Sequence, residues 1–217
     1  LARTYRDYYQ GDFDFDDILL DKNDIHRLGN IFIPKASYGE IIEEKMTHIL
    51  ENLYNSDQKN LAPSDIIKEM GIAIDNEDSI LYWAQKNDIP IIVPGIMDGS
   101  VGSQIWSFSE THKDFSLDIL KDQRIISDYV FKYKKSGALI IGGGISKHHT
   151  IWWNQFNGGL DYAVYITTAT EFDGSLSGAR TKEAISWGKI SDLAHHVTIN
   201  AEASVVLPLL VRSLIHE

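Results

Sequence analysis

From Ile89 onward the chain alternates short β-branched runs with helical patterns, and no other feature of its 217 residues restricts the fold as strongly. The runs lie at residues 89–93, 138–141, 163–167 and 197–199, each ending at a Gly, Thr or Asn turn. Helical patterns fill the intervals at 117–135, 148–156, 179–187 and 204–215. Strands spaced this way are joined by crossovers and lie parallel. The expected fold class is therefore α/β, a doubly wound, largely parallel sheet in one body over residues 25–217.

Three helices are expected before that rhythm begins. Over residues 38–53, Ile41, Ile42, Met46, Ile49, Leu50 and Leu53 recur at the spacing of one buried helix face. A second helix starts at Ser64 and ends near Gly71, and a third runs from a cap at Asp78 or Ser79 to about Lys86. Residues 1–24, with Asp12, Asp14, Asp16 and Asp17 set among Phe13 and Phe15, read as an irregular acidic and aromatic arm.

Composition excludes several classes of function. Twenty Lys and Arg stand against 31 Asp and Glu, a net charge of −11, which argues against sequence-independent nucleic-acid binding. The same balance favours cationic partners such as a polyamine or a basic protein surface. With no Cys there are no disulfides, thiol nucleophiles or Cys-ligated metals, as suits the cytoplasm. His, Asp and Glu show no metal-ligand spacing, so no metal is expected. The longest apolar stretch, 203–211, is broken by Ser204 and Pro208 and is far too short to span a bilayer.

In open α/β sheets, ligands sit beyond the carboxyl ends of the strands. Four polar, Gly-rich segments fall there, at 95–103, 142–149, 167–180 and 200–204. Gly142-Gly143-Gly144, between a strand and a helix, suits either a phosphate at the helix start or a tight turn. At that helix start, one of His148 and His149 can face the cleft as a proton acceptor while the other faces out; both also suit structural roles. His195-His196 reads as structural. Residues 171–180 (EFDGSLSGAR) combine acids and hydroxyls that suit an amine, or form a capped loop with Arg180 paired to an acid. In Trp187-Gly188-Lys189, a lysine beside an aromatic wall in a dry pocket would favour its neutral form, a nucleophile able to form a Schiff base. A solvated surface lysine is the ordinary alternative.

Laid end to end, these segments resemble deoxyhypusine synthase, from about Asn23 to the C-terminus, and archaeal members in particular. The stretches that carry the resemblance are HRLGN (26–30), YWAQKN (82–87), DGS (98–100), GGGISKHH (142–149), DYAVYITTATEFDGSLSGAR (161–180) and EAISWGK (183–189). The resemblance implies a Rossmann-like NAD-binding architecture and transfer of the 4-aminobutyl group of spermidine. The group passes through an imine on an enzyme lysine to one lysine of the translation initiation factor 5A precursor. Matched by motif, Lys189 is the covalent lysine and His148 the proton acceptor at the amine. Gly174, Ser175, Glu183 and Trp187 match amine contacts. Asp98, Gly143, Thr168, Ala169, Glu202 and Ala203 match NAD contacts.

The chain departs from the family pattern at three positions. Ser103 and Leu176 stand where many members have Asp, and Glu202 stands where many have Asp. The first two changes leave open a homospermidine-synthase-like transfer to a small amine. Members are homotetramers that usually exceed 300 residues, whereas this chain begins at Leu1. The expectation is a missing N-terminal portion, held as a second chain and needed for full activity. A subunit active only with that chain is the remaining alternative.

Overall fold

The computed structural model describes residues 1–215, and the chain divides into two compact units, Leu1–Asp122 and a second beginning at Gln123. The first unit opens with α1 (Ala2–Tyr5), β1 (Tyr9–Gln10) and α2 (Asp17–Lys22), where the sequence reads as irregular. Local chemistry accounts for the difference. The Asp16 carboxylate accepts from the Ile18 and Leu19 amides and caps α2, and Arg27 grips Asp17 through two contacts of 2.6 Å. Strands β2 (Ile25–Leu28) and β3 (Ile31–Pro34) then form an antiparallel hairpin, with β1 paired to the far side of β3.

Helix α3 (Gly39–Asn55) buries all six apolar residues of its expected face. Burial of each stabilises the unit by about 1.5–3 kcal/mol before entropy is counted. After β4 (Asn60–Leu61) comes α4 (Pro63–Ile74), which continues past Gly71. Gly71 serves packing there: a Cβ would press on the backbone carbonyl of Leu81 in α5 (Ile80–Lys86).

Residues 89–93 form no strand, which corrects the first run of the expected sheet. Pro90 and Pro94 remove backbone donors at both ends of that segment. Its apolar character is used instead for packing, with Ile91 and Val93 set against the first unit's core. Helix α6 (Ser100–Thr111), strand β5 (Ser116–Leu117) and helix α7 (Ile119–Lys132) follow, and β5 pairs parallel with β4.

The second unit carries the alternation that the sequence announces. Strands β6 (Gly137–Ile141), β7 (Leu160–Thr167) and β8 (Ile190–Asn200) form a parallel sheet in the order β6-β7-β8. Helices α8 (Ile145–Gln155) and α9 (Thr181–Ile185) join the strands, and α10 (Ala203–Ile215) follows β8. Strand β7 is central because Leu160, Ala163, Tyr165, Ile166 and Thr167 are all buried. Register pairs Ile141 with Ile166 and Thr167 with Asn200, so the three strands end along one edge. Among the described residues, no helix is long and apolar enough to cross a membrane.

Candidate active site

Three segments leaving the strands of the second unit build one cavity of about 300 Å³. The first contributor is α8. Beyond β6 the chain turns through Gly142 and Gly144, whose φ angles of 78° and 87° lie in the left-handed region open to glycine. Gly143 is needed for another reason, since a Cβ there would strike the backbone of Ser177. Helix α8 then sends Lys147 and Ile151 into the interior, while His148 and Trp152, one turn apart, line the cavity with ring centroids 5.4 Å apart.

The segment after β7 supplies Leu176, Ala179 and Arg180, and Tyr165 of β7 reaches the same cavity. Arg180 pairs with Glu171, the capped-loop arrangement. Lys147 is only 2 % exposed, and its Nζ donates to the carbonyls of Leu176 at 2.8 Å and Ala179 at 2.7 Å. It also lies 4.2 Å from the Tyr165 ring centre. Burial pushes the Lys147 amine below the ordinary lysine value, with the Glu183 carboxylate opposing. The Tyr165 hydroxyl is buried without a hydrogen-bond partner among the described residues. Burial, and then Glu183, push it up to about 12.

The third contributor is α9 and the turn after it. The Thr181 amide donates to Thr198 Oγ1 at 3.0 Å, and Thr181 Oγ1 shares a hydrogen bond with His196 Nδ1, fixing α9 against β8. His195 stacks on Tyr162, so both histidines of the pair have structural partners. Glu183 and Ala184 of α9 face the cavity. The helix closes through Gly188 at φ 65°: the Gly188 amide donates to Ile185 and the Lys189 amide to Ala184. This is a Schellman-type stop, and it explains the middle residue of Trp-Gly-Lys. The Lys189 carbonyl then accepts from the Leu160 amide, so both sides of its backbone are held. Lys189 is 7 % exposed, with its Nζ 5.1 Å from the Trp187 ring centre and 5.6 Å from that of Trp152.

The cavity thus brings together Lys189, His148, Glu183 and Trp187. Gly174 and Ser175 lie outside its lining, in the turn after Glu171–Asp173. Gly143, Thr168, Ala169, Glu202 and Ala203 fall in the segments that leave the carboxyl edge of the sheet. The Glu202 carboxylate caps α10 by accepting from the Ser204 amide and hydroxyl, which holds it below its ordinary value. Asp98 and Ser103 belong to the first unit. Lys147, Trp152 and Tyr165 are lining residues not singled out in the sequence. The spacing of Trp152 one turn after His148 is the signal that could have found it.

Comparison with known proteins gives a consistent result. The family model described as DS: Deoxyhypusine synthase matches residues 1–214. "Probable deoxyhypusine synthase" of Thermoplasma volcanium is 58 % identical over 211 residues, covering 97 % of this chain and 68 % of that protein. The Sulfolobus acidocaldarius protein of the same description is 50 % identical over 216 residues, covering 99 % of this chain and 69 % of its own length. A crystal structure assigned to deoxyhypusine synthase from Entamoeba histolytica superposes with a TM-score of 0.60 at 27 % identity. That match covers 83 % of this chain and 54 % of the other.

Proposed function

The chain belongs to the deoxyhypusine synthase family, and from that premise we propose that it is an NAD-dependent aminobutyl transferase. It moves the 4-aminobutyl group of spermidine to a lysine of the translation initiation factor 5A precursor. The observation that carries this reading is Lys189, buried in the cavity beside two indoles with His148 and Glu183 in the same lining.

The residues matched to NAD contacts fit a dinucleotide. Gly142 and Gly144 leave open space where side chains would stand, and no side chain caps the start of α8, which leaves its amides to a phosphate. Gly143, Thr168, Ala169, Glu202 and Ala203 would hold NAD along the carboxyl edge of the sheet. A complete doubly wound, Rossmann-like sheet is part of the proposal. Bound there, NAD would supply the hydride-transfer chemistry for oxidising the amine carbon and reducing the final imine.

His148 takes the proton released as the amine is oxidised. Glu183 holds the charged end of the substrate. Lys189 Nζ attacks the imine carbon; a C–N bond to Lys189 forms, the C–N bond to the leaving amine breaks, and 1,3-diaminopropane departs. Trp187 and Trp152 flank the Lys189 amine.

Assembly belongs to the same reading. Among the described residues, β6 and β8 each pair on one side only, Leu193 is 87 % exposed, and α10 buries no residue. Such edges and apolar faces suit a homotetramer in the cytoplasm.

A second acceptor, a small amine, is favoured by Leu176, which gives the cavity an apolar lining where a carboxylate would bind cations. Radiolabelled spermidine and NAD, incubated with the chain and either the factor 5A precursor or putrescine, separate the two. Label on the precursor protein is expected. Label in homospermidine would move the acceptor, and no release of 1,3-diaminopropane with either would overturn the transferase reading.

A further inference from the structure

Resting on the transferase reading, we propose that Trp152 sets which amines the cavity accepts, by presenting an indole face to the cationic end of a linear aliphatic polyamine. The two indoles converge on one point: Lys189 Nζ lies 5.6 Å from the Trp152 ring centre and 5.1 Å from that of Trp187. Both distances fall within the range of cation–π attraction, for which indole is the strongest side-chain partner.

The charges in the cavity give this convergence its importance. Glu183 is the one carboxylate in the lining, against Lys147, Arg180 and Lys189. Lys147 is occupied by two backbone carbonyls and Arg180 by Glu171. Within this lining an entering ammonium group finds a single anion, and neutral groups supply the rest of the attraction there. The indole faces of Trp152 and Trp187 are such groups.

Trp152 is 44 % exposed and retains free surface for a ligand. Its ring meets His148 at 5.4 Å and Phe156 at 6.2 Å, both one turn away on the same helical stretch, so its orientation is set before a ligand arrives. Methylenes of a linear amine can lie along such a face while the charge sits over it. A neutral or branched molecule gains less.

The test is calorimetric titration of spermidine into the full chain with NADH present, which cannot oxidise the amine, for the parent and for Trp152→Leu and Trp152→Phe. Leucine keeps apolar bulk without a π face; phenylalanine keeps the face. Trp152→Leu is expected to weaken spermidine binding about 3- to 30-fold, with Trp152→Phe recovering most of the loss. In turnover, the leucine variant should raise KM for spermidine and the phenylalanine variant should restore most of it. Trp152→Gln repeats the loss of the face should the leucine variant not fold. Parent-like binding without the aromatic ring, or an equal loss in the phenylalanine variant, would overturn the proposal while leaving the transferase reading intact. A parent chain that binds no spermidine would overturn both.

Discussion

Lys147 Nζ donates to the Ala179 carbonyl at 2.7 Å, a bond that ties α8 to the segment leading into α9. A second bond, to Leu176, makes this buried ammonium a clasp on the cavity wall. Trimming the group should loosen the wall without touching Lys189. Lys147→Met is expected to destabilise the fold by about 1.5–3 kcal/mol, the range for a charged hydrogen bond lost from the interior. Hydrogen exchange should accelerate at the amides of residues 176–180; parent-like protection there would show that the clasp holds nothing.

Lys189→Arg removes the nucleophile while keeping a charge beside the two indoles. Arginine does not form an imine under these conditions. Borohydride added during turnover should attach an aminobutyl mass to the peptide containing Lys189 in the parent and leave the variant unmodified. An equal adduct in both would assign the covalent step elsewhere.

His148→Ala separates proton transfer from packing. The ring contact of His148 within the cavity is with Trp152, so the melting temperature should change little. NADH formation from spermidine without an acceptor should fall about 10²- to 10⁴-fold. Parent-like NADH formation would return His148 to a structural role.

Gly178→Ala probes the close approach that shapes the wall. A Cβ at this position would run into the backbone carbonyl of Thr170, which cannot yield as a flexible side chain can. Overpacking of this kind costs about 1–3 kcal/mol, and thermal unfolding should register it.

Acid stability tests the first unit independently of the site. The hydrogen bond from Lys59, and then that from the Tyr54 hydroxyl, hold the Asp114 carboxyl down to about 2. A carboxyl depressed on folding contributes stability that is complete above its unfolded value, about 3.9, and lost as pH falls through the folded one. The stability advantage of the parent over Asp114→Asn should therefore shrink between about pH 4 and pH 2. A difference that stays constant over that window would mean the carboxylate's charge plays no part.

Much of the second unit is legible in the sequence because its cues are local. The β-branched runs ending at Gly142, Thr167 and Asn200 mark β6, β7 and β8, and the spacing from Ile41 to Leu53 marks the buried face of α3. The motifs also single out Lys189, His148, Glu183 and Trp187, which line one cavity. Segment 89–93 misleads for a local reason of its own: its apolar residues suit a strand, but Pro90 and Pro94 deny it a ladder.

Tertiary structure alone decides what those cues leave open. A buried lysine and a surface lysine have the same letter, and only packing shows Lys147 beneath two carbonyls with Lys189 between indoles. Trp152 joins the site because one helical turn places it beside His148 and the fold then brings Lys189 to it from 37 residues further along the chain. Periodicity reports which face of an element is buried. It carries no information on which distant group will meet that face, since such contacts are fixed by how the elements pack.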